Sequence, residues 1–165
     1  EATAYAGERM RQQEHSSQLG QCENPLVDAF LFSRIREARQ AGIPVEAPVV
    51  LPRRLPIANV DLVILFGNLM DNAVEACGQV ASPFIRLEAG LRKDYLVVTE
   101  TNPAPADDTR KKRRIPQLER GIGLHILTDL AGRYHGSCTQ EVRDGQFTVS
   151  IALQLPENQG ETEEA

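Results

Sequence analysis

One segment, residues 59–78, carries two side-chain patterns at a spacing that predicts a single long helix. Apolar residues recur every three or four positions and form a core face: Leu62, Leu65, Phe66, Leu69, Ala73 and Ala76. Polar residues follow the same spacing on a second face: Asn68, Asp71, Asn72 and Glu75. Asn and Asp are poor helix formers, each costing about 0.5 kcal/mol relative to good ones. Such a row of oxygens suits Mg²⁺ and substrate phosphates, although a solvated face explains this helix alone equally well.

The second feature is Arg120-Gly121-Ile122-Gly123-Leu124, where we expect a helix to begin at Gly121 and to end at Gly136. Glycines at a helix start let backbone amides approach an anion, which the helix dipole also favours. Glycines equally serve close packing between a helix and a sheet, so this pair alone is weak evidence. Neither a Walker-type nor a Rossmann-type glycine loop is present, so a phosphate site here has to be of another kind.

Short alternating segments separated by turn residues predict strands at 45–51, 84–91, 95–101, 137–142 and 147–155. Hairpin turns are expected at Arg92-Lys93-Asp94 and at Asp144-Gly145. Residues 102–120 lack apolar periodicity and contain the basic run 110–114, which predicts a long, mobile, basic loop. The order of elements predicts an α+β fold, a two-layer α/β sandwich whose mixed sheet carries its helices on one face.

We divide the chain into a helical lead-in at 1–43, a globular domain at 44–156 and a disordered acidic tail at 157–165. Asn24-Pro25 is expected to cap a helix that ends near Gly42. Its predicted apolar face is Leu26, Ala29, Phe30, Ser33, Ile35 and Ala38. We interpret the lead-in as a stalk.

Together these segments resemble the GHKL superfamily of gyrase, heat-shock chaperone, histidine kinase and mismatch-repair ATPases. Its asparagine box is similar to Leu65-Phe66-Gly67-Asn68-Leu69-Met70-Asp71-Asn72-Ala73-Val74-Glu75-Ala76. Its late glycine box is similar to the segment from Arg120 to Leu124, and the resemblance spans roughly residues 24–156. It implies a Bergerat-type fold that holds ATP and Mg²⁺ between the asparagine-box helix and the lid.

The resemblance also implies roles for individual residues. Asn72 would bind Mg²⁺, and Asn68, beside the phosphates, would act with it in catalysis. The implied nucleotide contacts are Asn68, Asp71, Asn72, Asn102, Arg120, Gly121, Ile122, Gly123 and Leu124. Hydrolysing members carry a glutamate general base where this chain has Asn68, which favours phosphoryl transfer to a protein side chain over ATP hydrolysis.

The adenine-reading position departs from the family. Most members follow the central strand with Asp-x-Gly-x-Gly, whereas this chain has Thr99-Glu100-Thr101-Asn102-Pro103-Ala104-Pro105. We take Asn102 as the first candidate for the aspartate's role and Glu100 as the second. An amide oxygen can accept a hydrogen bond from the adenine amino group.

Residues 24–31 and 38–43 resemble the end of the dimerisation helix in sensor histidine kinases that sense citrate or dicarboxylates, or peptide pheromones. This implies a homodimer, formed by upstream helices, that transfers the γ-phosphoryl group of Mg-ATP to a histidine and serves a response regulator. His15 lies close to Asn24, which leaves little room for the helical hairpin and disfavours it as the acceptor, although that role stays open. We expect the acceptor upstream and the isolated chain to be inactive. Two alternative functions stay open: an anti-sigma-type serine kinase, and a degenerate GHKL module that acts only in protein interaction.

Composition excludes some broad classes. The formal net charge is −5, which argues against a nucleic-acid partner. The three cysteines are few and widely spaced, as expected in a reducing cytoplasm. The sequence lacks an initiating Met, and we expect it to be the cytoplasmic domain of a membrane-bound receptor.

Overall fold

The computed structural model describes residues 22–78, 80–104 and 122–157. The helices are α1 (Pro25–Gln40), α2 (Asn59–Cys77) and α3 (Ile122–Arg133). The strands are β1 (Val45–Glu46), β2 (Ile85–Arg92), β3 (Tyr95–Pro103), β4 (Ser137–Arg143) and β5 (Gln146–Gln154). Several predicted features lie outside the described residues: the first part of the lead-in with His15, the basic run, Arg120, Gly121 and the tail from 158 onward.

The five strands form one mixed sheet in the order β1-β2-β3-β5-β4. β1 runs parallel to β2, and the other neighbours are antiparallel. The predicted strand at 45–51 is wrong in length, because it shortens to β1 and an isolated bridge between Val49 and Ala89. Pro48 lies between these two pairings, and a proline cannot donate to a ladder. Both predicted hairpins are present, with Lys93 at φ 52 and Asp144 at φ 51.

Alternation along the strands separates the two faces of the sheet. Inner-face side chains on β3 and β5, such as Leu96, Val98 and Val149, are fully buried and join one core with the helices. The outer face pairs small polar side chains across strands, as in the 3.1 Å hydrogen bond between Thr101 and Thr148. The predicted two-layer sandwich with helices on one face is confirmed.

Helix α1 begins as the sequence predicts, since Oδ1 of Asn24 accepts a hydrogen bond from the Val27 amide at 3.0 Å. The predicted apolar face was partly wrong, because Ala29 and Ser33 are exposed. The buried residues are Val27, Asp28, Leu31, Ile35 and Ala38. Their apolar members belong to the same core cluster as the sheet. Packing against the rest of the domain therefore buries a face of α1 that differs from the predicted one.

Helices α2 and α3 are joined by polar contacts at the start of α2. Asp61, only 6% exposed, accepts hydrogen bonds from Arg133 at 3.1 Å and from the Tyr134 hydroxyl at 2.6 Å. The predicted end of α3 at Gly136 is late, because His135 already adopts a left-handed backbone at φ 50. This arrangement fixes α3 beside the asparagine-rich part of α2.

Candidate functional site

The first turn of α3 packs directly on the polar row of α2. A Cβ atom built on Gly123 would lie 3.0 Å from Oδ1 of Asn68 and 3.1 Å from Oδ1 of Asn72. Those distances are too short for any side chain unless the asparagines move. Gly123 thus permits the backbone of α3 to meet both amides, and the expected meeting of the asparagine row with the glycine segment is present at Gly123.

The two asparagines differ in how their amide groups are held. Nδ2 of Asn68 donates a 2.7 Å hydrogen bond to the Ile64 carbonyl of the preceding turn, which leaves Oδ1 facing Gly123. Nδ2 of Asn72 is buried and has no hydrogen-bond partner among the described residues. A buried donor without a partner costs about 1–3 kcal/mol, so such an atom is unusual in a folded protein.

Helix α3 supplies backbone donors at the same place. It begins at Ile122, so Gly123 and Leu124 lie in its first turn, where helix N–H groups have no carbonyl partner within the helix. The Leu124 side chain is buried at 8% exposure and anchors this turn in the core. The helix start carries partial positive charge that favours an anion. The first turn of α3 therefore lies against the asparagine amides of α2.

The adenine-reading candidates form a buried pair on the inner face of β3. Nδ2 of Asn102 lies 3.1 Å from both carboxyl oxygens of Glu100. Glu100 is 0% exposed and Asn102 is 1% exposed. Oδ1 of Asn102 is buried and has no hydrogen-bond partner within the part of the chain that the structure describes. In that part of the chain, Asn102 thus has an unpaired acceptor and Asn72 an unpaired donor.

Burial dominates the electrostatics of this pair. Desolvation raises the pKa of Glu100 to about 8, and the hydrogen bond from Asn102 only partly offsets that rise. The neighbouring thiol of Cys77, on α2, also has a raised pKa, chiefly through its own burial and in small part through the charge of Glu100. An acid in such surroundings is unusual, because its cross-strand neighbours, Leu87 and Val149, are apolar and fully buried.

Asp71 lies apart from this arrangement. Its side chain is 64% exposed and forms an ion pair with Arg34 of α1. One turn earlier, the ring of Phe30 lies against Gly67, where an added Cβ would be 3.5 Å from Cζ. Helix α1 therefore touches α2 at the residues that directly precede Asn68 and Asn72. Sequence reasoning missed this contact, because nothing in the spacing of α1 indicates its partner.

Three further observations on the described residues concern a surface concavity, metal-binding side chains and membrane-spanning helices. A concavity of about 800 Å³ beside β2 and β3 is lined partly by Val50, Arg92 and Thr99, and by none of the predicted site residues. Among the described residues, no three or more His, Cys, Asp or Glu side chains are grouped to hold a metal ion. No described helix has the length and apolarity needed to span a membrane.

The family model described as a GHKL domain matches residues 57–154. The sensor histidine kinase DcuS of Escherichia coli (strain K12) is 29% identical over 155 residues, which cover 88% of this chain and 28% of that protein. The sensor histidine kinase NatK of Bacillus subtilis (strain 168) is 26% identical over 142 residues, covering 79% of this chain and 45% of that protein. The chain thus spans less than half the length of either relative.

Solved structures share the fold at lower identity. The nucleotide-free catalytic domain of histidine kinase ThkA aligns with a TM-score of 0.62 and 17% identity, covering 80% of this chain and 91% of that one. The Acinetobacter baumannii histidine kinase AdeS aligns with a TM-score of 0.61 and 10% identity, covering 77% of this chain and 64% of that one. At these identities, both likenesses concern the fold alone.

Proposed function

The chain belongs to the GHKL domain family, and on that premise we propose that it is the ATP-binding catalytic domain of a two-component sensor histidine kinase. In this role it delivers the γ-phosphoryl group of Mg-ATP to a histidine on a dimerisation helix. The fold is that of histidine kinase catalytic domains, and kinases of this family bind ATP, generally with Mg²⁺. The transfer reaction, its acceptor and its partners belong to the proposal.

The observation that supports this function most is the contact of Gly123 with Asn68 and Asn72. Close packing between two helices requires a small residue, but it does not require two amides facing that residue. A Mg²⁺-nucleotide site requires the close packing and the facing amides together, because the metal-binding side chain and the phosphate-binding backbone amides have to reach the same nucleotide. The orphaned Nδ2 of Asn72 also fits, since a phosphate oxygen is an acceptor for it.

Each side chain has a role that follows from its hydrogen bonds. Asn72 supplies Oδ1 as the Mg²⁺ ligand. Asn68 has its Nδ2 engaged by Ile64, so it offers an acceptor and suits a metal-bound water better than a phosphate oxygen. When bound, Mg²⁺ neutralises charge on the phosphates. Arg120 and Gly121, outside the described residues, together with Gly123 and Leu124, are proposed to bind the phosphates.

Asn102 is proposed to read the nucleobase. Its unpaired Oδ1 is an acceptor, which matches the amino group of adenine and opposes the oxygen that guanine carries at the same position. The missing Asp-x-Gly-x-Gly segment is therefore no barrier to adenine recognition, because an amide oxygen makes the required hydrogen bond. Asn68 in place of a general base favours transfer over hydrolysis, as the family pattern implies.

Calorimetric titration with Mg-ATP tests the binding function directly. The native chain should bind Mg-ATP, and Asn72→Ala should weaken binding by about tenfold or more, the usual cost of disturbing a metal site. Val74→Ala, an exposed position on the same helix, is the matched control and should bind normally. If the native chain shows no heat of binding at millimolar Mg-ATP, the inert interaction module replaces the kinase.

The acceptor is tested in the longer protein that carries the upstream helices. Phosphohistidine has a P–N bond that acid hydrolyses, whereas phosphoserine survives acid. Acid-labile label transferred from γ-labelled ATP is expected. Acid-stable label on a partner protein would instead establish the serine kinase. Three further parts of the proposal depend on labelling of a histidine. They are dimerisation through upstream helices, a response regulator as partner, and a cytoplasmic position below a membrane receptor.

A further inference from the structure

Glu100 is, with Asn102, one of two polar residues on the inner face of β3. Leu96 and Val98 precede it on the same face, and both are 0% exposed. Its cross-strand neighbours are Leu87 on β2 and Val149 on β5, which are equally buried. A leucine or valine at this position would continue the core without burying an acid, and burying an ionisable group is costly. The stability of the fold therefore does not explain why position 100 is a glutamate.

The contacts of Glu100 point to Asn102 instead. Both carboxyl oxygens accept from Nδ2 of Asn102 at 3.1 Å. One end of the amide is therefore engaged, and the other, Oδ1, is buried and has no partner in residues 22–78, 80–104 and 122–157. The two ends of an asparagine amide have nearly the same shape but opposite hydrogen-bonding character. Whatever holds Nδ2 therefore decides which character the amide presents to a ligand.

We propose that Glu100 is a positioning residue that fixes the Asn102 amide with Oδ1 toward the nucleobase, so that the site selects 6-aminopurines over 6-oxopurines. This inference rests on the proposed nucleotide-binding function. Above its pKa of about 8, Glu100 is an ionised carboxylate that only accepts hydrogen bonds, so a flipped amide would then set two acceptor oxygens against each other. The flipped amide would present N–H groups, which are the correct partners for the 6-oxo group of inosine or guanine.

ATP and inosine triphosphate (ITP) are the probes, because they differ in the purine only at the 6-position and the N1 proton that accompanies it. Affinities of both, with Mg²⁺, are measured at about pH 9, where Glu100 is ionised because its pKa of about 8 is exceeded. The variant is Glu100→Gln, which keeps the shape but accepts either orientation of the Asn102 amide. Thr101→Val is the control, since Thr101 lies on the opposite face and bonds Thr148.

The native chain should prefer ATP, and Glu100→Gln should reduce the ATP-to-ITP affinity ratio by roughly fivefold to tenfold, the size of one or two neutral hydrogen bonds. Thr101→Val should keep the native ratio. If Glu100→Gln weakens both nucleotides in equal proportion, Glu100 is merely structural and the inference is overturned. A native chain that binds neither nucleotide overturns the proposed function itself, which is a different result.

A second measurement is independent of nucleotide. The side-chain NH₂ resonances of Asn102 should shift between the native protein and Glu100→Gln in ¹⁵N–¹H spectra, because the bonded acceptor changes. Removal of a buried charge is expected to leave the variant folded, which its thermal unfolding checks first. Unshifted Asn102 resonances in a folded variant would mean that the two side chains do not pair, and the inference would fall.

Discussion

The hydroxyl of Tyr134 donates a 2.6 Å hydrogen bond to Oδ2 of Asp61, which joins the residue after α3 to the first turn of α2. The same hydroxyl accepts from the Ala58 amide at 3.3 Å. Asp61 is buried and also forms an ion pair with Arg133. This cluster holds α3 against α2. Because the same two helices place Gly123 against Asn68 and Asn72, the geometry of the candidate site depends on a contact that lies outside the site.

Tyr134→Phe should lower the free energy of unfolding by about 1–3 kcal/mol, since it removes a hydrogen bond to a charged, buried acceptor. Urea unfolding followed by circular dichroism measures the change. Tyr95→Phe, at a position 36% exposed on β3, is the control and should lie within about 0.5 kcal/mol of the native protein. Equal effects of the two variants would contradict a special role for the Asp61 contact.

Gly123→Ala should weaken Mg-ATP binding by about tenfold or more, because the new methyl displaces the asparagine amides. Its stability should change little, since a helix gains roughly 1 kcal/mol from alanine over glycine and the crowding opposes that gain. Gly132→Ala in the same helix meets no atom within 4 Å. It should be neutral or stabilising and bind normally. Normal binding by Gly123→Ala would remove Gly123 from the site.

Asp71→Ala tests a residue that the family resemblance assigns to the nucleotide but the structure pairs with Arg34. We expect its effect on Mg-ATP affinity to be smaller than that of Asn72→Ala by about tenfold. A double-mutant cycle with Arg34→Ala should give a coupling of about 0.2–1 kcal/mol in stability that falls with added salt, because the pair is exposed. A loss of binding equal to that of Asn72→Ala would restore Asp71 to the nucleotide site.

Glu100 predicts a pH dependence of stability with a definite sign. The pKa of Glu100 rises from 4.5, the value for a solvated glutamate side chain, to about 8 in the folded chain. Between those values the folded state keeps a proton that the unfolded state has lost, so the free energy of unfolding falls as pH rises. The loss is on the order of a few kcal/mol and is complete above pH 8.

Glu100→Gln should remove this contribution, and the difference between native and variant isolates it from other titrating groups. Denaturant unfolding at pH 5 and at pH 9 measures both proteins. The variant should gain stability over the native chain at the higher pH. If the native and variant curves run parallel across that range, Glu100 titrates normally and is not held in an apolar setting.

The sequence determined the elements and their chemistry. Periodicity located α2 and most of the strands, Asn24 and Pro25 marked the start of α1, and turn residues marked both hairpins, because these are local preferences of the backbone and of side-chain spacing. The asparagine row and the glycine pair were also visible, since each lies within one short segment. Their similarity to a known family added the expectation of a nucleotide and a metal.

Tertiary structure alone decided which groups meet. No local pattern states that Phe30 and Arg34 contact Gly67 and Asp71, or that Asp61 bonds the residues that close α3. The buried stripe of α1 likewise shifted from the one its spacing indicated. The orientation of the Asn102 amide depends on burial beside Glu100, and burial is a property of the packed sheet and helices rather than of either residue. Local preferences are encoded along the chain, whereas these contacts exist only once distant segments have packed together.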